Sequence, residues 1–242
     1  MELIVIAALC VAAASVIGGA TGFGTSLLAT PLMLMAGIGL AETVVVNLVV
    51  ALVTRVGVTV QLRAHITWPR VAVLGLASVP GAWLGVQTIA FLPEEHLKPA
   101  AGAITVLCGV AMALPAAKTP RPPSAIATAV TGVISGYFST TTSLNGPLVV
   151  LLLSRARLLP LGFIADLAGY FVITSLVSLA LLWSGTEIDL PALLPMIVAC
   201  TVVGVLANQL GIGIAMRLPT HVFRSAVISL VVIAGLVTFA TA

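Results

Sequence analysis

Charged side chains are scarce in this sequence, at 7% of 242 residues. An average soluble domain carries roughly 25%, so this chain cannot cover a compact fold with a water-facing surface. Its ten Lys and Arg residues form no basic stripe interleaved with aromatic residues, which argues against a nucleic-acid partner. Their scatter through short loops is instead typical of residues that orient a protein in a lipid bilayer.

Histidine and cysteine are also rare, with three of each. The histidines fall in or beside loops, and Cys10, Cys108 and Cys200 lie far apart in apolar segments without metal-ligand spacing. An intramembrane hydrolase needs a histidine or paired carboxylates at membrane depth, and Asp166 is the only acidic residue well inside an apolar run. We therefore predict no metal, no cofactor and no catalytic residue, although an intramembrane enzyme stays among the alternatives.

Hydrophobic residues make up 60% of the chain and form ten runs. A helix needs about 20 residues to cross the hydrocarbon of a bilayer. The second and seventh runs are too short, because Pro31 and Pro147 leave only one or two helical turns after them. The pattern predicts an all-α polytopic membrane protein. The runs lie at about 3–20, 25–37, 41–61, 70–91, 97–114, 124–138, 143–154, 160–184, 190–216 and 222–241.

Ten runs divide into two halves of five, and seven residue matches between the halves occur in chain order. They are Gly22 with Gly136, Thr30-Pro31 with Gly146-Pro147, Ile66 with Ile188, Gly81 with Gly204, Leu92 with Leu218, Lys98 with Arg224, and Gly109 with Gly235. Ordered matches of this kind indicate an internal duplication. We predict a first repeat at 1–115, a cytoplasmic linker at 116–123 and a second repeat at 124–242, together forming one integrated transmembrane domain.

Loop charges predict that the two repeats are inverted. Cytoplasmic loops are enriched in Lys and Arg, and the loops here alternate in sign. The basic loops contain Arg63 and Arg70, Lys118 and Arg121, Arg155 and Arg157, and Arg217 and Arg224; the acidic loops contain Glu42, Glu94 and Glu95, and Glu187 and Asp189. Corresponding loops of the halves carry opposite signs, so both termini should be external. Inverted repeats are an architecture of secondary transporters, which hold substrate near the midplane at discontinuous helices.

Glycines and hydroxyl residues interrupt the first and sixth runs at matching positions. A short helix that begins at Thr25 or Ser143 would direct its free N–H groups at a small oxyanion. We expect neutral donors from both halves to coordinate this anion. The candidate binding residues are Thr21, Gly22, Phe23, Gly24, Thr25 and Ser26 in the first half, and Ser135, Gly136, Tyr137, Ser139, Thr140, Thr141 and Asn145 in the second. The alternative is that Gly18, Gly22, Gly132 and Gly136 only allow helices to pack closely. For Gly81 and Gly85 we predict close packing alone.

Two ionisable residues lie inside apolar runs. Arg55 continues a spacing of four that starts at Asn47, and it either binds the anion or extends to the cytoplasmic interface. Asp166 either takes part in proton coupling or is an early-helix carboxylate that pairs with Arg155 or Arg157.

The same motifs carry a family resemblance. A Gly-Phe-Gly turn at Gly22 to Gly24, a Ser-Gly-aromatic motif at Ser135 to Tyr137 and the following Gly146-Pro147 resemble the TauE/SafE family. The chain departs from the family's pattern where further glycines often follow each motif, since it has Thr25-Ser26 and Ser139 to Thr142 there.

The resemblance implies a multi-pass protein of the bacterial inner membrane that transports sulfite or a short organosulfonate. The coupling ion would be a proton or sodium, and a homodimer is a possible assembly. The rival hypothesis is a membrane subunit that does not transport, whose glycines merely pack and whose halves meet at a dry interface.

Overall fold

The computed structural model describes residues 2–21, 24–91, 102–107, 123–156, 158–185 and 190–215, together with the single helical positions 99, 110, 229, 232, 233, 236 and 239. Apart from the helical residues 102–107, these ranges hold eight α-helices and no strand. The helices are α1 (Glu2–Thr21), α2 (Thr25–Met35), α3 (Leu40–Gln61), α4 (Trp68–Phe91), α5 (Ala125–Thr142), α6 (Gly146–Arg155), α7 (Pro160–Gly185) and α8 (Leu190–Ala215). A short 3-10 turn, Arg63–His65, joins α3 to α4.

Five of these helices are long and apolar enough to cross a bilayer. The apolar segments are Glu2–Ala20, Leu40–Gln61, Trp68–Ile89, Leu161–Ser184 and Pro191–Ile214. Large apolar side chains are exposed on their outer faces, for example Leu76 on α4 and Trp183 on α7, as expected where lipid replaces water. The prediction of an all-helical, multi-pass membrane protein is therefore confirmed. Most residues of the predicted runs at 97–114 and 222–241, and most of the predicted linker at 116–123, lie outside the described residues.

The two short helices differ in detail from the sequence prediction. Helix α2 is 11 residues long and contains Pro31 in its interior, so the proline does not mark its start. Helix α6 begins at Gly146, with Pro147 in its first turn, where the missing N–H has no intrahelical acceptor to lose. Ser143 does not begin a helix. It terminates α5 in the left-handed region, with φ 56°.

Glycines bring helices from the two halves into close contact. Gly19 of α1 faces the backbone of Asn208 on α8, and Gly136 of α5 faces the backbone of Ser78 on α4. Gly81 of α4 likewise faces the backbone carbonyl group of Val133 on α5. This contact confirms the packing role predicted for Gly81. Lipid and core are equally apolar, so close backbone approach at small residues is a main source of helix association in membranes.

Helices α3 and α7 pack against each other between these two contacts. Helix α3 also contacts α2 and α8, while α7 also contacts α4 and α6. Helices α2 and α6 therefore lie beside the middle pair of long helices. This arrangement places the two interruptions of the chain, before Thr25 and before Gly146, next to α3 and α7.

Candidate functional site

A small cleft lies where the starts of α2 and α6 meet α3 and α7. Thr25 and Ser26 are the first two residues of α2, and Asn145 immediately precedes α6. The cleft has about 270 Å³ of empty volume, including its mouth. Its lining residues are Thr25, Ser26, Ala51, Thr54, Arg55, Asn145 and Phe171. Four of the residues predicted from sequence thus meet at one place, with contributions from both halves of the chain.

Arg55 is the cationic group of this cleft. Its side chain is buried, at 7% exposure, and its Nη2 donates to the carbonyl oxygen of Gly18 at 3.3 Å. In the described part of the chain the only ion pair joins Arg70 to Asp166, so no described carboxylate neutralises Arg55. A guanidinium has five N–H donors, which leaves several for a ligand. The buried position does not match the alternative in which Arg55 extends to the cytoplasmic interface.

The starts of α2 and α6 add two further positive features. The first N–H groups of a helix lack intrahelical acceptors, and the helix dipole places partial positive charge there. Neither start is capped by the side chain of the residue before it: Gly24 precedes α2, and the amide of Asn145 donates to Ser139 at 3.3 Å instead of capping α6. Two helix N-termini and a guanidinium therefore converge on the cleft.

Hydrogen bonds from α5 and α7 hold Asn145 in place. The hydroxyl of Ser135 donates to the carbonyl oxygen of Asn145, and the buried Tyr170 hydroxyl donates to Ser135 at 2.7 Å. Ser178 donates to Ser139 at 2.8 Å, and Ser139 accepts from the Asn145 amide. Ser135 and Ser139 are not among the residues that line the cleft. They form hydrogen bonds with Asn145, which does line the cleft.

Residues of the first half of the chain form hydrogen bonds with the connection between α5 and α6. The hydroxyl of Thr30 on α2 donates to the carbonyl oxygen of Thr142 at 3.0 Å and lies 2.8 Å from the hydroxyl of Ser143. The Asn47 amide on α3 donates to both hydroxyls, at 3.1 Å to Thr30 and 3.2 Å to Ser143. The connection between α5 and α6 is thus tied to both halves of the molecule.

The remaining candidate binding residues of the second half do not line the cleft. Because α5 continues to Thr142, Ser139, Thr140 and Thr141 are helical and do not form the irregular segment that the sequence predicted. Thr140 donates to the carbonyl oxygen of Ala82 on α4 at 3.0 Å, and Thr141 donates within its own helix at 2.9 Å.

Gly136 and Tyr137 also lie in α5. Gly136 packs on α4, and the half-buried ring of Tyr137 packs on Phe138, with ring centroids 5.6 Å apart. In the first half, Gly22, Phe23 and the side chain of Thr21 lie outside the described residues. Gly24 is buried at the start of α2.

Asp166 is fully buried and lies in a contact of its own between α7 and α4. Its Oδ2 pairs with Nη1 of Arg70 at 2.6 Å, and its Oδ1 accepts the backbone N–H of Thr67 at 2.6 Å. Asp166 thus pairs with a residue of the other half of the chain, whereas Arg157 and the side chain of Arg155, the partners expected from sequence, lie outside the described residues. Asp166 is not among the described residues that line the cleft.

Three residues of the lining were not predicted. Ala51 belongs to the same spacing-four stripe as Arg55, so the sequence contained a signal for it. The sequence contained no such signal for Thr54 or Phe171. In an apolar helix, a threonine or a phenylalanine can lie on a face that contacts lipid as well as on a face that lines a cleft.

The chain is similar to known transport proteins along nearly its whole length. A family model described as "Sulfite exporter TauE/SafE" matches residues 6–238. A protein of Cupriavidus necator named "Probable sulfite/organosulfonate exporter TauE" is 28% identical over 198 residues, which cover 79% of this chain and 76% of that protein. No solved structure matches the chain.

Proposed function

Since this chain belongs to the sulfite exporter TauE/SafE family, a family of membrane transporters and not of enzymes, we propose that it carries sulfite or a short organosulfonate across the bacterial inner membrane. The substrate binds in the cleft formed by α2, α3, α6 and α7. Arg55 and the starts of α2 and α6 bind the negatively charged oxygens of the substrate.

The single observation that carries this proposal is the burial of Arg55 without a carboxylate partner among the described residues. A buried unpaired cation costs several kcal/mol, and a bound anion removes most of that cost. The two helix starts strengthen the preference for an anion, since both direct positive partial charge at the same cleft.

Neutral donors complete the proposed coordination. Thr25 and Ser26 contribute from the first half, through their backbone N–H groups or hydroxyls, and Asn145 contributes from the second half. The Asn145 amide has two N–H donors and uses one on Ser139. Hydrogen bonds from neutral groups allow release as well as binding, which transport requires.

Alternating access between two inverted repeats is the proposed mechanism. The contacts between helices support it, because α1 packs against α8 and α4 packs against α5. In each pair the first helix of one predicted repeat meets the fourth helix of the other. Rocking of these pairs about α3 and α7 would open the cleft first to one side and then to the other. A subunit that does not transport would have a dry interface between its halves, whereas these halves enclose a polar cleft.

Sulfite counterflow in proteoliposomes tests the proposal. We expect Arg55→Gln to reduce sulfite affinity by about 10- to 100-fold, the equivalent of a charge-assisted hydrogen bond. Arg55→Lys should retain part of the affinity, because it keeps the charge and loses the planar donor geometry. Arg63→Gln is the matched control, since Arg63 is exposed in the turn after α3. Equal counterflow in Arg55→Gln and the parent protein would overturn the proposed site.

A further inference from the structure

The lining of the cleft is divided between polar and apolar groups. Among the described residues that form it, Thr25, Ser26, Thr54, Arg55 and Asn145 present polar atoms. The apolar residues of the lining are Ala51 on α3 and Phe171 on α7. A ligand with one charged end and one uncharged end would therefore direct the uncharged end at Phe171.

The position of Phe171 is set by its surroundings. The residue is 4% exposed, and its ring centroid lies 5.8 Å from that of Tyr170, which is itself hydrogen-bonded to Ser135. Phe171 also belongs to a buried apolar cluster with residues of α4 and α6, including Leu74 and Val149. Because well-packed side chains seldom leave their rotamers, the ring forms a fixed wall.

Sulfite and organosulfonates differ in charge and in the group on sulfur opposite the three oxygens, the side that would meet this wall. Both present three oxygens on sulfur, but sulfite has a lone pair where an organosulfonate has a carbon substituent. The cleft is small, since its roughly 270 Å³ of empty volume include the open mouth.

We infer that Phe171 determines the size of the organic group that the transporter accepts. This inference rests on the proposed function and names the substrate subclass: sulfite and the shortest alkyl sulfonates fit, and longer alkyl or aryl sulfonates are excluded. Phe171 acts through shape alone, while Arg55 and the helix starts bind the oxygens. One methylene too many in an apolar pocket typically changes discrimination by about 10- to 200-fold.

The experiment compares sulfite, methanesulfonate and butanesulfonate as competitors of sulfite counterflow in proteoliposomes. We expect Phe171→Ala to raise the ratio of butanesulfonate to sulfite affinity at least about tenfold. Phe171→Leu should raise it less, and it provides a second variant that keeps an apolar residue in the buried cluster. Phe163→Leu is the matched control, because Phe163 lies on the same helix against the same cluster and does not line the cleft.

The outcomes separate this inference from the proposed function. A raised ratio in the Phe171 variants, with the parent's ratio in Phe163→Leu, supports it. The parent's ratio in folded Phe171→Ala and Phe171→Leu overturns it, and so does an equal rise in Phe163→Leu. If Arg55→Gln transports sulfite like the parent, the proposed site itself fails. If Arg55→Gln loses sulfite while the Phe171 variants keep the parent's ratio, only the role of Phe171 is wrong.

Discussion

Asp166 and Arg70 form a 2.6 Å ion pair that joins α7 to the beginning of α4. The same carboxylate accepts the backbone N–H of Thr67, the residue before α4, at 2.6 Å. One side chain therefore satisfies a free helix-start donor and neutralises a cation. The contact links the two predicted repeats at a place separate from the cleft.

Loss of the Asp166 charge should destabilise the protein. In Asp166→Asn the amide oxygen still accepts from Thr67, but Arg70 loses its anionic partner. Breaking a buried pair costs about 3–5 kcal/mol. Because the Arg70 side chain is 20% exposed, we expect the lower end, about 3 kcal/mol, or roughly 6–12 °C in melting temperature. Thermal unfolding in detergent measures this shift.

The control for this prediction is Glu42→Gln, which neutralises an exposed carboxylate on α3. The double variant Asp166→Asn with Arg70→Gln should recover part of the lost stability, because no unpaired charge then remains. A melting temperature equal to the parent's in Asp166→Asn would contradict a structural role. The alternative prediction, proton coupling through Asp166, requires instead that pH-driven uptake is lost while sulfite exchange continues.

Removal of the Tyr170 hydroxyl should loosen Asn145. Tyr170→Phe leaves Ser135 without its donor, and Ser135 supports the Asn145 backbone. We expect a loss of about 1 kcal/mol in stability and a several-fold weaker sulfite affinity with an unchanged preference among sulfonates. Sulfite-dependent thermal stabilisation measures both. Ser184→Ala removes an exposed hydroxyl of the same helix and should change neither; identical effects in the two variants would contradict the positioning role of Tyr170.

Ser143 should respond differently to glycine and to alanine. Both substitutions remove the hydroxyl that meets Thr30 and Asn47. Alanine must also keep the positive φ of 56°, a conformation that costs a residue with a Cβ roughly 1–2 kcal/mol and costs glycine little. We therefore expect Ser143→Ala to unfold at a lower temperature than Ser143→Gly. Equal melting temperatures would show that residue 143 does not need a left-handed backbone.

Gly136 and Gly57 form a matched pair for the packing role of glycine. A Cβ at Gly136 would collide with the backbone of Ser78, whereas a Cβ at Gly57 meets nothing within 4 Å. Gly136→Ala should cost about 1–3 kcal/mol of stability by overpacking, and Gly57→Ala should be neutral or stabilising by up to about 1 kcal/mol. Melting temperatures of the two variants in the same detergent check this. Similar melting temperatures in the two variants would contradict the close contact between α4 and α5.

The predicted topology can be tested by cysteine labelling in cells. In a variant without Cys10, Cys108 and Cys200, single cysteines near either terminus should react with a reagent that does not cross the membrane. A cysteine in the loop at 116–123 should be protected until the membrane is permeabilised. A protected C-terminus would contradict the inverted repeat.

Particular residues show which parts of the fold and of the candidate site could be predicted from the sequence. The start of α2 at Thr25 and the interruption before Pro147 followed from glycine, proline and hydroxyl spacing, which act within a few residues. Arg55 was recognised because a charge in an apolar run is costly wherever it lies. Its meeting with Asn145, 90 residues later, and the pairing of Asp166 with Arg70 depend on contacts between distant helices, which no local pattern encodes.

The sequence by itself determined that this protein is a multi-pass helical membrane protein with two short, interrupted segments, because hydropathy and length act locally. Only the tertiary structure decided which faces of those helices line the cleft. In a soluble protein an apolar stripe marks the core, but here lipid and core are both apolar. Helix orientation is therefore decided by close packing at residues such as Gly136 and by buried hydrogen bonds such as that from Tyr170 to Ser135.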